Sequence, residues 1–510
     1  MEREGITAMK SHEKKPVNPA KSIDSLQGLF QILKKSKDFI TLSPPFNSLS
    51  IRISYFRTLV DANILHQDVL SYLSGRSFSS LQDVQAVLSF GTSKVTEQVE
   101  VIQKSVLNGY ILIQLNESDS SCLLIDISKI EGRDITKPEI EFNILAPKLA
   151  FVEKLDTNLN LLRRKLLTPY LRVEQLEVGY LSNTAVAVVY IEGIANDQNV
   201  KEIIKRVSSI ETDHVFDSSY LVRTIVDNPN SMFQQFISTE RPDRVAAILA
   251  EGKIALLVDG SPFVITLPTT LIEFFSTAED YSIPWIVASF FRALRVFSVL
   301  FSVLTTPLYV AIITYHYELI PKELLETLVV SRSKIPFPPV IEALVLEVVI
   351  ELLREAGARL PTKVGLTVGI VGGIVIGQAA VEASLTSNVL IIIIALSALA
   401  SFTTPIYSMG NTIRVIRFPF IFAAQLLGLL GIVIASAFLL THLLRTKSLG
   451  RPYLSPFYPT RLSDWKDSII RMPLISMNRR PLAASAKQPI RFNSEKAKKN
   501  RTSPRSDFDD

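Results

Sequence analysis

An uncharged stretch of 20 residues, from Val296 to Tyr315, places the strongest constraint on how this chain can fold. As a helix it would extend about 30 Å, which matches the hydrocarbon core of a bilayer. Three further runs without Asp, Glu, Lys or Arg follow it, at 364–381, 383–413 and 418–444. Helices of a soluble domain would need polar faces in these segments. The sequence therefore predicts a membrane protein.

The distribution of charge predicts the orientation of these segments. Residues after Leu444 include 15 Lys or Arg and 6 Asp or Glu, a net charge of 15 − 6 = +9, and basic flanks remain on the cytoplasmic side. No export signal is recognisable before Val296, so we expect the amino-terminal region on the same side. An even number of spans follows, and we predict four, at about 296–315, 364–381, 386–410 and 418–443. Arg414 and Arg417 then fall in a short external loop.

The region before the first span contains one pattern twice. SIRISYFRTLVDANILHQDVLSYL aligns with AVAVVYIEGIANDQNVKEIIKRV so that Tyr55 falls on Tyr190, an offset of 190 − 55 = 135 residues. NGYILIQLNESDSSCLLIDI likewise corresponds to EGKIALLVDGSPFVITLP, and each reads as a β-hairpin. Each copy also has an apolar strand, a polar turn containing Asp61 or Asn196, and a helix. We interpret the region as a duplicated α+β unit.

The predicted fold class is an α+β cytoplasmic region of two duplicated subdomains, followed by an α-helical multispan membrane domain and a basic tail. The expected boundaries are an amino-terminal tail at 1–44, a first subdomain at 45–137, a second subdomain at 138–283, a membrane domain at 284–444 and a carboxy-terminal tail at 445–510.

An acidic helix is predicted at residues 340–355, inside the membrane domain. Its three central glutamates make exposure to lipid unfavourable, so it is not counted as a span. Glu347, Glu351, Arg354 and Glu355 lie on one face of a helical wheel. This face suits an interfacial helix with its acids in solvent, a water-filled cation path lined by Glu347 and Glu351, or an internal salt-bridge network with Arg354.

A stripe of glycines recurs at every fourth position of the second predicted span. It consists of Gly365, Gly369, Gly373 and Gly377. Because glycine weakens a helix, four in register indicate that another helix backbone approaches this face closely. The neighbouring helix could belong to the same subunit or to another subunit.

The hairpin turn of the second copy has the sequence Asp259, Gly260, Ser261 and Pro262, which we name the coupling turn. Its hairpin leads through residues 268–281 into the first predicted span. We therefore expect the coupling turn and this connecting segment to transmit motion between the subdomains and the membrane domain.

Basic residues near the membrane suggest contacts with lipid. Arg292 and Arg295 are one helical turn apart, just before the first uncharged run, and we expect them to anchor phosphate heads. The basic tail suits attraction to anionic lipids better than it suits nucleic acid, which we do not expect as a partner.

The sequence lacks the residue patterns that several kinds of catalytic and metal-binding site require. The five histidines are scattered without metal-ligand spacing, and no phosphate-binding glycine loop or nucleophile elbow is present. We therefore predict that the protein is not an enzyme and that it binds neither a metal ion nor a cofactor. Cys122, the single cysteine, excludes an intramolecular disulfide and is expected to be a buried strand residue.

From about Thr239 to Pro459 the sequence closely resembles the A-subunit family of bacterial spore germinant receptors. The resemblance rests on the stretches TERPDR, EGKIALLVDGSPF, EDY, FRALRVFS, YHYELIP, REAGARLP and SLGRPYLSP, together with the glycine stripe. It continues more loosely through FVEKLDTNLNLLRRKLLTPYL and VVYIEGIAN and fades before about residue 100.

This resemblance implies a multipass subunit in the inner membrane of the endospore, with a two-part cytoplasmic domain. The charge distribution places the tail on the same side, which is the core side in a spore. The resemblance also implies assembly with a transporter-like B subunit, which is thought to bind the nutrient, and a lipoprotein C subunit. It further implies self-association into a nutrient-gated cation conduit that begins germination. The alternative is a non-conducting scaffold or signalling subunit of the same receptor.

Overall fold

The computed structural model of this protein consists of two sheet-based subdomains followed by a helical region and a folded tail. The described residues are 23, 25–43, 51–74, 76, 78–88, 92–116, 119–129, 138, 141, 147–360, 373 and 375–493. Gly365 and Gly369 lie outside these ranges, as does most of the predicted span at 364–381.

The first subdomain is a five-stranded antiparallel sheet with helices. Its strands follow the spatial order β1-β2-β4-β5-β3. They are β1 (Phe39–Leu42), β2 (Arg52–Phe56), β3 (Ser93–Thr96), β4 (Tyr110–Gln114) and β5 (Cys122–Asp126). The helices are α1 (Leu26–Leu33), α2 (62–73, with a π-helical turn at Leu65–Leu70), α3 (Leu81–Val87) and α4 (Val99–Leu107).

The second subdomain has the same architecture. Its strands are β6 (Leu171–Val178), β7 (Thr184–Ile191), β8 (Ile237–Thr239), β9 (Ile254–Val258) and β10 (Val264–Leu267). Its helices are α5 (Leu155–Lys165), α6 (Asp197–Ser208), α7 (Ser218–Ile225) and α8 (Pro242–Ala250). The spatial order β6-β7-β9-β10-β8 repeats that of the first sheet strand for strand.

Local geometry at equivalent positions supports the duplication. Asp61 and Asn196 both cap a helix by accepting hydrogen bonds from the backbone of its first turn. Gly109 and Gly252 both precede a central strand and have positive φ angles of 95° and 92°, a conformation that favours glycine. The expectation of a duplicated α+β region is confirmed, and the structure adds that both sheets are antiparallel.

The two subdomains are joined by a buried polar interface. Asp38, which lies just before β1, pairs with Arg163 on α5 and also accepts hydrogen bonds from Ser36 and Thr58. Burial alone would raise the pKa of Asp38, but the charge of Arg163 and these hydrogen bonds lower it overall. The carboxylate is therefore ionised, and it ties the subdomains together.

The helical region begins after two short 3-10 turns. Its helices are α9 (Trp285–Tyr315), α10 (Lys322–Arg332), α11 (Pro339–Arg359), α12 (Asn388–Ser401) and α13 (Tyr407–Arg445). Among the described residues, α9 and α13 are long and apolar enough to cross a membrane, and α12 is a shorter apolar helix. The predicted acidic helix is present as α11.

Helix α13 folds back on itself at Gly428, which has non-helical angles of φ 60° and ψ −137°. Ser408 near its beginning bonds Gln234, and His442 near its end bonds Ser231, so both ends lie beside the second subdomain. An ideal Cβ on Gly431 would lie 1.9 Å from the carbonyl oxygen of Ala423, which shows how closely the two parts approach. We call residues 407–427 the outgoing leg and residues 429–445 the return leg.

The outgoing leg contains two arginines that the sequence analysis placed elsewhere. Arg414 and Arg417 were expected in an external loop, but the helix continues through them and both are at most 9% exposed. They are tolerated there because each faces a glutamate of α11.

The described part of the tail is packed on the protein, and its expected attraction to lipid stays a prediction. Residues 446–493 run across the second subdomain, beginning with a hairpin of β11 (Lys447–Ser448) and β12 (Arg451–Pro452). Ser448 accepts a hydrogen bond from the amide of Thr269, in the segment that leads to α9. Four tail cations bind protein groups instead of lying free: Arg471, Arg480, Lys487 and Arg491.

Candidate functional site: an ionic network between the helices

Glu347 lies at the centre of a buried polar cluster that joins three helices. It is 1% exposed on α11 and forms an ion pair with Arg417 of the outgoing leg. The hydroxyl of Thr306 on α9 donates to its other carboxylate oxygen at 2.9 Å. Nη2 of Arg417 donates to Ser302 Oγ, also on α9, at 2.7 Å. One charge pair and two hydroxyls thus hold α9, α11 and α13 together.

Glu351 extends this network by one helical turn. Its side chain is 31% exposed, and its Oε1 lies 3.1 Å from Nη1 of Arg354 and 3.4 Å from Nε of Arg414. Arg354 in turn stacks over the ring of Phe402 at 4.4 Å and donates to Ser401. Of the three sequence interpretations, this arrangement corresponds to the internal salt-bridge network within a single chain.

The network has a clear energetic consequence. Two opposite charges at low exposure stabilise each other only while both are present, and loss of one leaves an uncompensated buried charge. Nε of Arg417 has no hydrogen-bond partner among the described residues, so this guanidinium depends strongly on Glu347 and Ser302. The glutamates were identified from sequence, whereas their partners on α13 were not, because Arg417 is 70 residues away from Glu347 along the chain.

The described part of the glycine stripe shows an open face. An added Cβ on Gly373 or Gly377 would meet no other heavy atom within 4 Å. Within the described part of this single chain, no helix packs closely against these two glycines. Gly365 and Gly369 fall outside the described residues.

The coupling turn connects β9 and β10 at the end of the sheet away from the connecting segment. The carboxylate of Asp259 accepts a hydrogen bond from the amide of Leu155, and the amide of Gly260 donates to the carbonyl of Glu153. Ser261 is buried and its hydroxyl bonds that of Ser218, whereas Pro262 is half-buried. The turn therefore contacts α5 and α7, and β10 connects it to the segment that leads to α9.

The two arginines at the beginning of α9 were expected to anchor lipid phosphates, but in the structure they bond carboxylates of the protein. Arg292 is 2% exposed and pairs with Asp280 at 2.9 Å and with Asp467 of the tail at 2.8 Å. Arg295 also pairs with Asp280, at 2.7 Å. Both guanidinium groups are thus engaged by carboxylates of the protein, which joins the connecting segment, α9 and the tail at one point.

Comparisons with known proteins agree on one family. A family model described as Bacillus/Clostridium GerA spore germination protein matches residues 27–483. Spore germination protein GerQA of Bacillus cereus is 70% identical over 98% of this chain and 100% of the relative. Spore germination protein GerIA of Bacillus cereus is 46% identical over 96% of this chain and 73% of the relative.

A solved structure was also matched. It is the crystal structure of the N-terminal domain of the A subunit of the Bacillus megaterium spore germinant receptor GerK3, with 27% sequence identity and a TM-score of 0.37. The alignment covers 48% of this chain and 92% of that domain.

These observations define a class of protein with a duplicated α+β region joined to a helical region that contains buried charges. Within that class, the chain belongs to the GerA spore germination protein family, the A subunits of spore germinant receptors.

Proposed function

We propose that this chain is a multipass A subunit of a nutrient-sensing receptor complex in the inner membrane of the endospore. In this proposal it assembles with a transporter-like B subunit and a lipoprotein C subunit. Copies of the chain form a cation conduit that opens when nutrient binds and so starts germination. The amino-terminal domain and the tail face the core.

The observation that carries this proposal is the ionic network around Glu347 and Glu351. Charged side chains within an apolar helical region are costly, and in membrane proteins they commonly mark ion pathways. Glu347 is neutralised by Arg417 in this arrangement, which we assign to the closed state. Glu351 is half-buried, so its carboxylate is within reach of water and can attract cations to the pathway.

The glycine stripe supplies a surface for self-association in this proposal. Among the described residues, no atom lies within 4 Å of an added Cβ on Gly373 or Gly377, which supports the close approach of another helix backbone. A ring of copies packed through this face would bring α11 of each copy towards a shared axis.

A specific observation favours a second candidate, a non-conducting scaffold or signalling subunit of the same receptor. Both glutamates already have cationic partners within the chain, at Arg417 for Glu347 and at Arg354 and Arg414 for Glu351. A purely structural network would need no ion path.

Cation release from spores distinguishes the two candidates. We would compare spores carrying Glu347→Gln or Glu351→Gln with spores carrying Glu355→Gln as a matched control. Glu355 lies on the same helix but pairs with Arg359 at the surface. Protein level in each strain would be measured by immunoblot.

The conduit proposal expects slower release or a changed preference among cations in Glu351→Gln spores at normal protein level, with Glu355→Gln spores unaffected. Normal release in both Glu347→Gln and Glu351→Gln spores, with the protein present, would reject the conduit and favour the scaffold.

A further inference from the structure

A groove in the first subdomain is filled by the chain that leaves β5. The groove lies between the turn after β2 and the glycine turn before β4. The amide of Lys129 donates to the carbonyl of Leu59 at 2.8 Å, and the amide of Asp61 donates to the carbonyl of Ile127 at 2.9 Å. Between these bonds, Ser128 faces Gly109, where an added Cβ would lie 2.8 Å from that of Ser128. Only glycine leaves room for the filling segment.

The second subdomain has the same groove, between the turn after β7 and the glycine turn before β9. The amide of Lys487 donates to the carbonyl of Ile194 at 2.9 Å. The side-chain amide of Asn196 donates to the carbonyl of Ser485 at 3.1 Å. Ala486 faces Gly252, where an added Cβ would lie 2.7 Å from that of Ala486.

The two filling segments correspond at three positions, although the helix cap donates through the backbone amide of Asp61 in the first copy and through the side-chain amide of Asn196 in the second. Ile127, Ser128 and Lys129 in the first groove correspond to Ser485, Ala486 and Lys487 in the second. In both, a small side chain lies against a glycine with positive φ, and a lysine amide bonds the carbonyl two residues before the helix cap. The repeated contacts show that this fold accepts a short chain segment in the groove. The second segment is not fully extended, because Ser485 has a left-handed conformation with φ 50°.

The source of the filling segment differs between the copies. In the first subdomain it follows β5 directly, since β5 ends at Asp126. In the second, β10 ends at Leu267, so the filling segment beginning at Ser485 lies 485 − 267 = 218 residues further along the chain, beyond all the helices. The second groove is therefore filled by a remote part of the chain.

We propose that the second groove is a peptide-docking site, occupied in the same chain by residues 485–487 of the tail, and that this occupant can exchange with another peptide of the same pattern. The pattern is a short segment with a small residue, Ala or Ser, facing Gly252 and a basic residue after it. The site does not depend on ion conduction.

The contacts of the tail segment suit an exchangeable occupant. The segment is held by two hydrogen bonds, the small side chain of Ala486 and an exposed ion pair between Lys487 and Asp197. The side chains of this pair are 44% and 64% exposed, so water and salt screen their attraction. On either side of the segment, Arg480 donates to the carbonyl of Ala250 and Arg491 pairs with Glu251. The first filling segment cannot exchange in this way, because it is continuous with β5.

Cysteine cross-linking in the full-length chain tests the docking directly. Asp197→Cys and Lys487→Cys would be combined, since Nζ of Lys487 lies 2.5 Å from the carboxylate of Asp197. Cys122 can remain, because burial raises the pKa of its thiol to about 12 and leaves it unreactive. The measurement is the initial rate at which a short bis-maleimide joins the two sites within one chain, with each single-cysteine variant as a control.

Two substitutions at Ala486 test the predicted pattern. Ala486→Ser should leave the cross-linking rate unchanged, because the first groove holds Ser128 in the same position. Ala486→Leu should lower the rate about tenfold, because the larger side chain cannot fit against Gly252. Equal rates for the two variants would overturn the proposal, as would cross-links that form only between chains.

Competition by a synthetic peptide tests exchange without altering the tail. A peptide of residues 482–490, LAASAKQPI, should slow cross-linking in proportion to its concentration, whereas the same peptide with Leu in place of Ala486 should not. If both peptides or neither of them compete, the groove does not select this pattern, and the proposal fails.

Discussion

Asp38 and Arg163, which belong to different subdomains, form an ion pair in which the side chains are 0% and 2% exposed. Two nitrogens of the Arg163 guanidinium donate hydrogen bonds to the Asp38 carboxylate, with Nε 2.5 Å from Oδ2 and Nη2 2.6 Å from Oδ1. The guanidinium also lies 3.9 Å above the ring of Phe56. This pair fixes the position of one sheet relative to the other.

Loss of one partner in this pair should destabilise the protein strongly. Asp38→Asn removes the charge that compensates Arg163, and we expect the free energy of unfolding to fall by about 3 to 5 kcal/mol. Denaturant unfolding of the purified full-length chain would measure it. Asp156→Asn is the control, because Asp156 pairs with Arg57 between the same subdomains at an exposed position and should contribute about 1 kcal/mol or less. Equal effects of the two variants would contradict the assignment.

The same pair predicts a dependence of stability on pH. The pKa of Asp38 is lower in the folded chain than in the unfolded chain, because the charge of Arg163 and its hydrogen bonds outweigh the effect of burial. Its stabilisation is therefore fully present above the unfolded pKa of about 4 and is lost as the pH falls through the lower folded pKa. The difference in unfolding free energy between wild type and Asp38→Asn should be constant from neutral pH to about pH 5 and then shrink. A difference that grew on acidification would have the wrong sign.

A double-mutant cycle should reveal the coupling between Glu347 and Arg417. Either Glu347→Gln or Arg417→Gln leaves a buried charge or donor without its partner, and we expect each to lower the amount of protein in spores. The double variant should recover part of this loss, because no unpaired charge remains. Immunoblots of spore membranes would measure the four levels. Additive losses would show that the two side chains do not stabilise each other.

The sequence was sufficient for the features that repeat locally. The hairpins, and the strand, polar turn and helix before each of them, come from short patterns, so the duplication could be predicted. The acidic face of α11 was also visible, because Glu347 and Glu351 are one helical turn apart. The strand order was not predicted, since it depends on which strands pair across the sheet.

The features that sequence reasoning missed depend on distant partners. Arg417 was placed in a loop because a charge within an apolar run is unfavourable until its partner is known. The packing of the tail on the protein was missed for a similar reason, since nothing close to Lys487 in sequence indicates that its amide bonds Ile194. In both cases the decisive contact joins residues tens to hundreds of positions apart, and no local pattern encodes it.

The turn between the two legs of α13 should not tolerate a side chain. Gly428 has φ 60°, and an added Cβ would lie 2.8 Å from Nε2 of His316. We expect Gly428→Val to strain the backbone and displace the end of α9, and so to reduce the amount of folded protein. Gly357→Ala is the control, because Gly357 lies in α11 and no atom of the described residues is within 4 Å of an added Cβ. Normal levels of Gly428→Val protein would contradict the folded-back arrangement.

The last prediction concerns the coupling turn. Gly260 has φ 84° and no atom within 4 Å of an added Cβ, so a larger residue strains the backbone without a clash. We expect Gly260→Val to cost about 1 to 3 kcal/mol locally and to shift the bonds that Asp259 and Gly260 make to the segment before α5. If the turn transmits motion along β10, germination in response to nutrient should slow at normal protein level. Asn183→Val is the matched control, because Asn183 has φ 42° in the exposed turn between β6 and β7 of the same sheet. An unchanged response in Gly260→Val spores, or an equal defect in both strains, would exclude the coupling turn as the specific route.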